Sequence, residues 1–364
     1  LQMFSGLLVG GTTVIYNQDL ILQPVGFMNQ VKADTISILE VVPSYLALLL
    51  DTIEEEDKIA TFPALAYLLV TGETLKPALA RRWFSQFSEI PMVNAYGPTE
   101  ASDDIAHHVM TNAPELERVP IGKTVQNFHI HVVDESFNLC PIGVTGDIVV
   151  SGLGVGRGYL NDEERTREVF IEDPFRKGVR MYRTGDLGRY LPNGDLDFLG
   201  RKDHQVKIRG HRIELGDIEN HFGSLEGVRE VVVLDNEDAQ GHKYLCGYVV
   251  LGQDVVLDSL KQKLGDRLPS YMLPSSYVLL DTMPLTSNGK LDRKALLSYT
   301  EELQSNADTY VAPRNEVETH LVAIWQEVLG KQKIGVMDNF FDIGGHSLKA
   351  TQVVSKIFKR LDAT

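Results

Sequence analysis

At about 150 residues per domain, 364 residues are a prior for two or three domains, and 43% hydrophobic with 23% charged residues excludes disordered and collagen-like classes. Asp and Glu number 50 against 35 Lys and Arg, a net charge of -15 that is opposite in sign to the footprint of a nucleic-acid binder. Only Cys140 and Cys246 are present, too few for a disulfide framework or a zinc knuckle, which fits a reducing, cytoplasmic compartment. The longest apolar run, 64–70, is far short of the roughly 20 residues of a membrane span, and no basic-then-apolar leader opens the chain, so no membrane partner is expected. Leu1 stands where a Met would, and Thr364 follows a helical pattern directly, so truncation at both ends is expected.

In chain order, Gly10-Gly11-Thr12-Thr13 followed by Val14-Ile15-Tyr16 reads as the start of a strand. Apolar spacing over 39–51 and 77–87 is closer to helical, with Pro77 suited to a first turn. The runs 130–134, 147–151 and 195–199 read as strands, and their alternation with amphipathic stretches argues for a mixed α/β class. Asn193-Gly194-Asp195 is a turn, and Gly200-Arg201-Lys202-Asp203 follows the next strand, placing a domain boundary near 200–203. A smaller domain follows, with strands at 231–234, 248–251 and 277–280, a helix over 258–268 ended by Pro269, and closure near Leu296. Residues 301–315 are polar and aperiodic, a linker. Beyond it Val317, Leu321, Ile324, Trp325, Val328 and Leu329 share one helical face, and a second helix over 347–361 has Val354, Ile357, Phe358 and Leu361 as its apolar side. Two helices cannot enclose a stable core, so this last all-α unit is expected to be incomplete. The expected division is 1–200, 201–300, a linker at 301–312, and 313–364.

Several stretches carry chemistry. In Asp338-Asn339-Phe340-Phe341-Asp342-Ile343-Gly344-Gly345-His346-Ser347-Leu348, two glycines free the backbone before a serine that opens a helix, where the helix N-terminus favours an attached phosphate. A plain N-cap serine is the bland alternative. A hydrolase nucleophile elbow is the chemical one, but its last glycine is replaced by Lys349. Asn94-Ala95-Tyr96-Gly97-Pro98-Thr99-Glu100 places an amide, a ring, a hydroxyl and a carboxylate on one turn, groups that suit a nucleotide. Gly154-Val155-Gly156-Arg157-Gly158-Tyr159-Leu160 is not a dinucleotide fingerprint, because Arg157 or Tyr159 falls where the last glycine is needed, and no ligand is assigned to it. Asp186, on the glycine turn of Tyr182-Arg183-Thr184-Gly185-Asp186, suits a pair of ribose hydroxyls.

These motifs, with 200–219, 268–274 and Asn288-Gly289-Lys290-Leu291-Asp292-Arg293, occur in an order that resembles the adenylation domain of nonribosomal peptide synthetases, of the ANL adenylate-forming superfamily, followed by a peptidyl carrier domain. The resemblance implies the C-terminal part of a large adenylate-forming domain, a small α+β subdomain and a partial all-α carrier bundle. It implies ATP, Mg2+ and 4'-phosphopantetheine as cofactors, the last on Ser347. Tyr96 would stack on adenine, Asn94 bond its edge, Thr99 meet the α-phosphate, Glu100 hold Mg2+, Asp186 the ribose, and Arg201 contact the nucleotide. Lys290 would bridge the α-phosphate and the substrate carboxylate, and Asp203 would be the hinge. The family's glycine-rich phosphate loop is not found ahead of Tyr96.

Aligned on the family, Leu1, Glu40, Leu69, Thr71, Ala95, Asp103 and Asp104 line the side-chain pocket, with Lys290 at its mouth. Carboxylates sharing a pocket are costly unless paired, which points to a diamino acid, 2,4-diaminobutyrate first, then ornithine or lysine. The alternative is that Asp103 or Asp104 turns to solvent and the substrate is neutral and polar. His107 and His108 are given no role. Implied partners are the amino acid, a phosphopantetheinyl transferase, neighbouring condensation or thioesterase domains and a small activating protein. Rival readings are a stand-alone acyl-CoA-type ligase and a catalytically dead carrier-bearing scaffold; Lys290, Asp186 and Glu100 weigh against the scaffold.

Overall fold

Val42 lies before Pro43, whose ring disfavours helical backbone in the preceding residue. The segment expected as one helix over 39–51 is therefore a strand, Ile38–Val41, followed by a helix, Pro43–Glu55, with proline in its first turn. The structure, a computed structural model, describes residues 2–55, 61–202, 205–238, 241, 243–252, 255–286, 291–303, 310–331, 333–340, 343, 345 and 347–361. It divides into two units, Leu1–Asp203 and His204–Thr364. No helix among the described residues is long and apolar enough to cross a membrane.

In the first unit one sheet runs in the order Ile38–Val41, Tyr67–Val70, Met92–Tyr96, Ala106–Met110 and Lys123–Thr124. Its first three strands are parallel and the rest antiparallel. Alternation sends Leu39, Val41, Leu68, Val70, Met92 and Met110 to one face, where they pack with Phe27, Leu46, Leu50, Trp83 and Phe84 of the flanking helices. A second sheet orders Leu196–Arg201, Arg180–Tyr190, Gly146–Gly152 and Phe128–Val133, with Phe170–Glu172 added to Arg180–Tyr190. Tyr96 and Ala101 pack into this sheet's core with Ile130, Ile148, Val150, Tyr182 and Leu196, so the end of the first sheet is anchored on the second.

The strand expected after Gly10-Gly11 does not form. Residues 14–16 have no strand partner among the described residues; Tyr16 instead donates to Asp34 Oδ2 at 3.0 Å and packs edge-on against Phe27, and Asn17 caps the short helix Gln18–Ile21. β-branched composition alone does not make a strand where no sheet edge is offered.

In the second unit Val228–Glu237 pairs antiparallel with Lys243–Leu251, which pairs parallel with Ser276–Leu279. The helices Leu215–Gly223 and Leu257–Gly265 cover one face with the Gln205–Ile208/His211–Glu214 hairpin. The second helix stops three residues short of the expected end at 268, with Leu268 still buried as coil. The helix Arg293–Leu303 covers the other face through Leu296 and runs past the point where the linker was expected to begin. Asn315 accepts from the Glu318 amide to start Glu316–Leu329, and Gly330 ends it in left-handed backbone at φ 69. Ile324 and Val328 pack on Val353 of the last helix, Ser347–Leu361, with Trp325, Phe340 and Ile357 around them. Val353 faces inward, and Val354, expected on the apolar side, is 50% exposed, because Ile324 and Val328 of the preceding helix meet the last helix on its Val353 side.

Lys349, in the first turn of that last helix, is paired with Asp238 beside the central hairpin of the same unit, at 2.9 Å with side chains 4% and 7% exposed. Neither ion keeps its water, so each depends on the other. We expect Asp238→Asn to detach the start of the last helix rather than leave Lys349 buried beside a neutral group. Amide hydrogen exchange over 349–353 should rise with the main unfolding transition unchanged; unchanged exchange would show the pair to be dispensable.

Candidate nucleotide and substrate site

All residues of Met92–Tyr96 are buried, so the strand delivers the following turn from a rigid base. The turn is closed by the Ile105 amide donating to Tyr96 O at 2.7 Å, and Thr99–Ala101 forms a single 3-10 turn inside it. Ser102 and Asp103 have positive φ, 63 and 105, which folds the chain back on itself. Gly97 makes this possible: a Cβ there would lie 1.7 Å from Asp103 O. Thr99 is exposed and Glu100 half-buried, with the Tyr159 hydroxyl donating to Glu100 Oε1 at 2.7 Å.

Tyr96, Asp186 and Arg201, distant in sequence, form one network. The Tyr96 hydroxyl donates to Asp186 Oδ2, and Arg201 Nη1 donates to Asp186 Oδ1 at 2.9 Å and to Thr184 O at 3.0 Å. Burial, then the Asp186 charge, pushes the Tyr96 phenol well above its ordinary range, so it stays a donor. Thr184 Oγ1 receives the Asp186 amide and donates to Ile148 O, fixing the glycine turn. A carboxylate has about four acceptor sites, so Asp186 retains capacity for a hydroxyl pair with both partners in place.

Asn94 differs from expectation. Its side chain is 3% exposed and its Nδ2 donates to Pro120 O at 2.8 Å, on the sheet face opposite to Ala95. It therefore ties the strand to the neighbouring chain, and a role on the adenine edge is not what this geometry offers.

The strand register brings several of the residues expected in the side-chain pocket onto one sheet face. Glu40 is opposite Leu69, Leu69 opposite Val93, and Ala95 opposite His107, so Glu40, Leu69, Ala95 and His107 share the face away from the main core. Thr71, two residues beyond Leu69, donates to Asp104 Oδ1 at 3.1 Å, and His107 Nε2 is 3.5 Å from Asp104 Oδ2. Asp104 is thus turned inward, not to solvent. His107 joins this group although sequence reasoning gave it no role, because only the cross-strand register places it opposite Ala95. His108 faces Asp195 at 3.3 Å on the other side, its imidazole pushed down chiefly by burial.

Tyr159 was also missed. Its phenol is pushed up by burial and then by hydrogen bonds to Tyr182 and Glu100, which keeps it protonated as a donor. Leu1, Asp203 and Lys290 lie outside the described residues, and Ser347 is the first residue of its helix. No group of three or more His, Cys, Asp or Glu side chains among the described residues could hold a metal. Mg2+ ordinarily takes one or two carboxylates and completes its shell with substrate phosphates and water, so the hard oxygens of Glu100 and Thr99 fit such an ion.

The AMP-binding enzyme family matches residues 1–160, the AMP-binding enzyme C-terminal domain 217–290, and the phosphopantetheine attachment site 319–364. The solved structure of holo-PA1221, an NRPS protein containing adenylation and PCP domains, aligns with TM-score 0.77 and 31% identity over 93% of this chain and 55% of that one. This chain is built as an adenylation segment followed by a carrier segment, like those of nonribosomal peptide synthetases. Gramicidin S synthase 2 from Brevibacillus brevis is 43% identical over 98% of this chain and 8% of its own length. Tyrocidine synthase 1 from Brevibacillus parabrevis is 40% identical over 98% of this chain and 32% of its own. The chain therefore spans a small part of these curated synthetases. Its fold is of the mixed α/β adenylate-forming class, with a small C-terminal subdomain and a carrier segment that carries a phosphopantetheine attachment site.

Proposed function

We propose that this chain activates an amino acid with ATP and transfers it to its own carrier segment. A carboxylate oxygen of the amino acid attacks the α-phosphorus, the bond to the bridging oxygen breaks, and pyrophosphate leaves the aminoacyl-AMP behind. Ser347 would carry the phosphopantetheine arm, whose thiol would supply the acceptor for the aminoacyl group, with AMP as the leaving group. The observation that carries this reading is the convergence of Tyr96, Asp186 and Arg201 in the unit whose turn carries Thr99 and Glu100.

In this reading Asp186 holds the ribose, Tyr96 packs on adenine, and Arg201 contacts the nucleotide and pairs with Asp186. Thr99 binds the α-phosphate, Glu100 holds Mg2+, Lys290 meets both phosphate and substrate carboxylate, and the chain pivots at Asp203 between the two steps. Bound Mg2+ supplies charge neutralisation to the phosphates. The domain division is that expected from sequence except that the small subdomain extends through Leu303, the compartment is the cytoplasm, and the partners are a phosphopantetheinyl transferase, adjoining condensation or thioesterase domains and a small activating protein.

The substrate is a diamino acid, 2,4-diaminobutyrate before ornithine or lysine, whose side-chain ammonium meets Glu40 and Asp103. A neutral polar amino acid is the second reading, favoured by Asp104 being engaged with Thr71 and His107. The test is amino-acid-dependent ATP–pyrophosphate exchange on the full-length synthetase that contains this chain. Exchange should be strongest with diaminobutyrate and fall about 30-fold or more in Glu40→Gln, the loss of one desolvated charge pair. Exchange with only neutral amino acids would select the second reading. Ser347→Ala should leave exchange intact and abolish loading; no exchange with any amino acid would favour the carrier scaffold.

A further inference from the structure

The glycine-rich stretch 154–160, which the sequence leaves without a ligand, wraps the turn that carries Thr99 and Glu100. The Gly156 amide donates to Glu100 O at 2.8 Å, and Ser102 Oγ donates to Gly154 O at 2.6 Å, so the two backbones are laced together. A Cβ on Gly154 would lie 2.3 Å from the Phe128 ring and 3.0 Å from Ala101 O, and one on Gly156 would lie 3.1 Å from Glu100 O. Side chains would hold the loop off the turn. From this loop Tyr159 reaches the carboxylate itself, its hydroxyl donating to Glu100 Oε1 at 2.7 Å.

Tyr159 is itself fixed from several sides. Its amide donates to Thr166 Oγ1 at 2.8 Å, and Thr166 Oγ1 donates to Asp162 O at 2.7 Å. The ring meets Phe170 edge-on at 5.6 Å, and the Arg165 guanidinium lies over it at 5.0 Å. Gly158, at φ +138, lets the chain pass Thr166, where a Cβ would stand 2.4 Å from Thr166 Cγ2. A ring held in this way has little freedom to swing away, so its hydroxyl can define where one oxygen of Glu100 sits.

We propose that Tyr159 is the positioning residue for Glu100: its phenol fixes the carboxylate through Oε1 and so orients it for the cation that accompanies ATP. This rests on Glu100 as the Mg2+ ligand. Partners that orient a metal-binding carboxylate are worth about 10-fold to 100-fold in metal affinity. The Gly-rich loop is thus the frame for the metal-binding turn rather than a ligand site of its own.

The test uses the full-length synthetase and calorimetric titration of ATP at a series of Mg2+ concentrations, with ATP–pyrophosphate exchange alongside. Tyr159→Phe should raise the Mg2+ concentration needed for half-maximal ATP binding about 10-fold, with ATP binding in EDTA and the thermal unfolding midpoint unchanged. Thr166→Val, which removes the hydroxyl under Tyr159, should shift it in the same direction by less. In a Glu100→Gln background Tyr159→Phe should add nothing. If Glu100→Gln raises the Mg2+ requirement and Tyr159→Phe does not, the positioning role is overturned and the Glu100 reading stands. If Tyr159→Phe has its full effect in the Glu100→Gln background, it acts through the fold and the proposal fails. If Glu100→Gln leaves the requirement unchanged, both readings fall.

Discussion

Gly97→Ala is expected to remove adenylate formation almost completely while leaving the second unit folded. The new Cβ would stand 1.7 Å from Asp103 O, 2.5 Å from Asp103 C and 2.6 Å from Asp104 Cα. These are backbone atoms, so no side chain can swing aside to make room. The strain is steric rather than conformational, since Gly97 is not among the positions with positive φ. Relief requires the loop 97–104 to open, which breaks the Ile105 amide bond to Tyr96 O and carries Thr99 and Glu100 away from Asp103 and Asp104. Overpacking of this kind costs about 3 kcal/mol, at the upper end of its usual range. The functional loss is larger, because displacing reacting groups by about 1 Å can cost 100-fold in rate. ATP–pyrophosphate exchange should fall about 100-fold, with a lowered unfolding midpoint for the first unit only. Near-normal exchange would mean that the turn does not hold the reacting groups.

This dependence on a backbone approach explains which parts of the fold were legible. Motifs whose members are neighbours in sequence can be read directly: the turn 94–100, the glycine turn before Asp186 and the helix that Ser347 opens all rest on residues a few positions apart. Caps are equally local, as with Asn315 receiving the Glu318 amide. What was not legible depends on partners far along the chain. Leu39 and Val41 fit a helical spacing as well as a strand, and only the Tyr67–Val70 edge and Pro43 decide between them. Val14 and Ile15 are good strand residues with no sheet edge to join. His107 shares the Ala95 face because its strand returns antiparallel to put it opposite Ala95, and Tyr159 meets Glu100 across 59 positions. Asn94 could be assigned to the nucleotide from its place in the motif, yet strand alternation sends it to the opposite face from Ala95.

Asp186→Ala is expected to destabilise the first unit by about 3 to 5 kcal/mol, the usual cost of breaking a buried ion pair from one side. Asp186 and Arg201 have side chains only 4% and 11% exposed, and the same carboxylate accepts from the Tyr96 hydroxyl. The substitution takes the compensating charge from beside a desolvated guanidinium and the acceptor from a buried phenol. Asp186→Asn, which keeps an acceptor and loses the charge, should fall between. Stability alone does not separate a structural pair from a nucleotide contact, so the decisive variant is the double substitution Asp186→Leu with Arg201→Met. Replacing a whole buried pair by apolar groups of similar volume is often neutral or stabilising. The double variant should regain most of the unfolding free energy lost in Asp186→Ala, measured by urea denaturation, because no unpaired charge remains. It should not regain ATP binding, because Leu offers no acceptor for a ribose hydroxyl. Recovery of both would reduce the pair to a structural element, whereas recovery of stability alone is the outcome expected of a carboxylate that Arg201 and Tyr96 hold ready for the nucleotide.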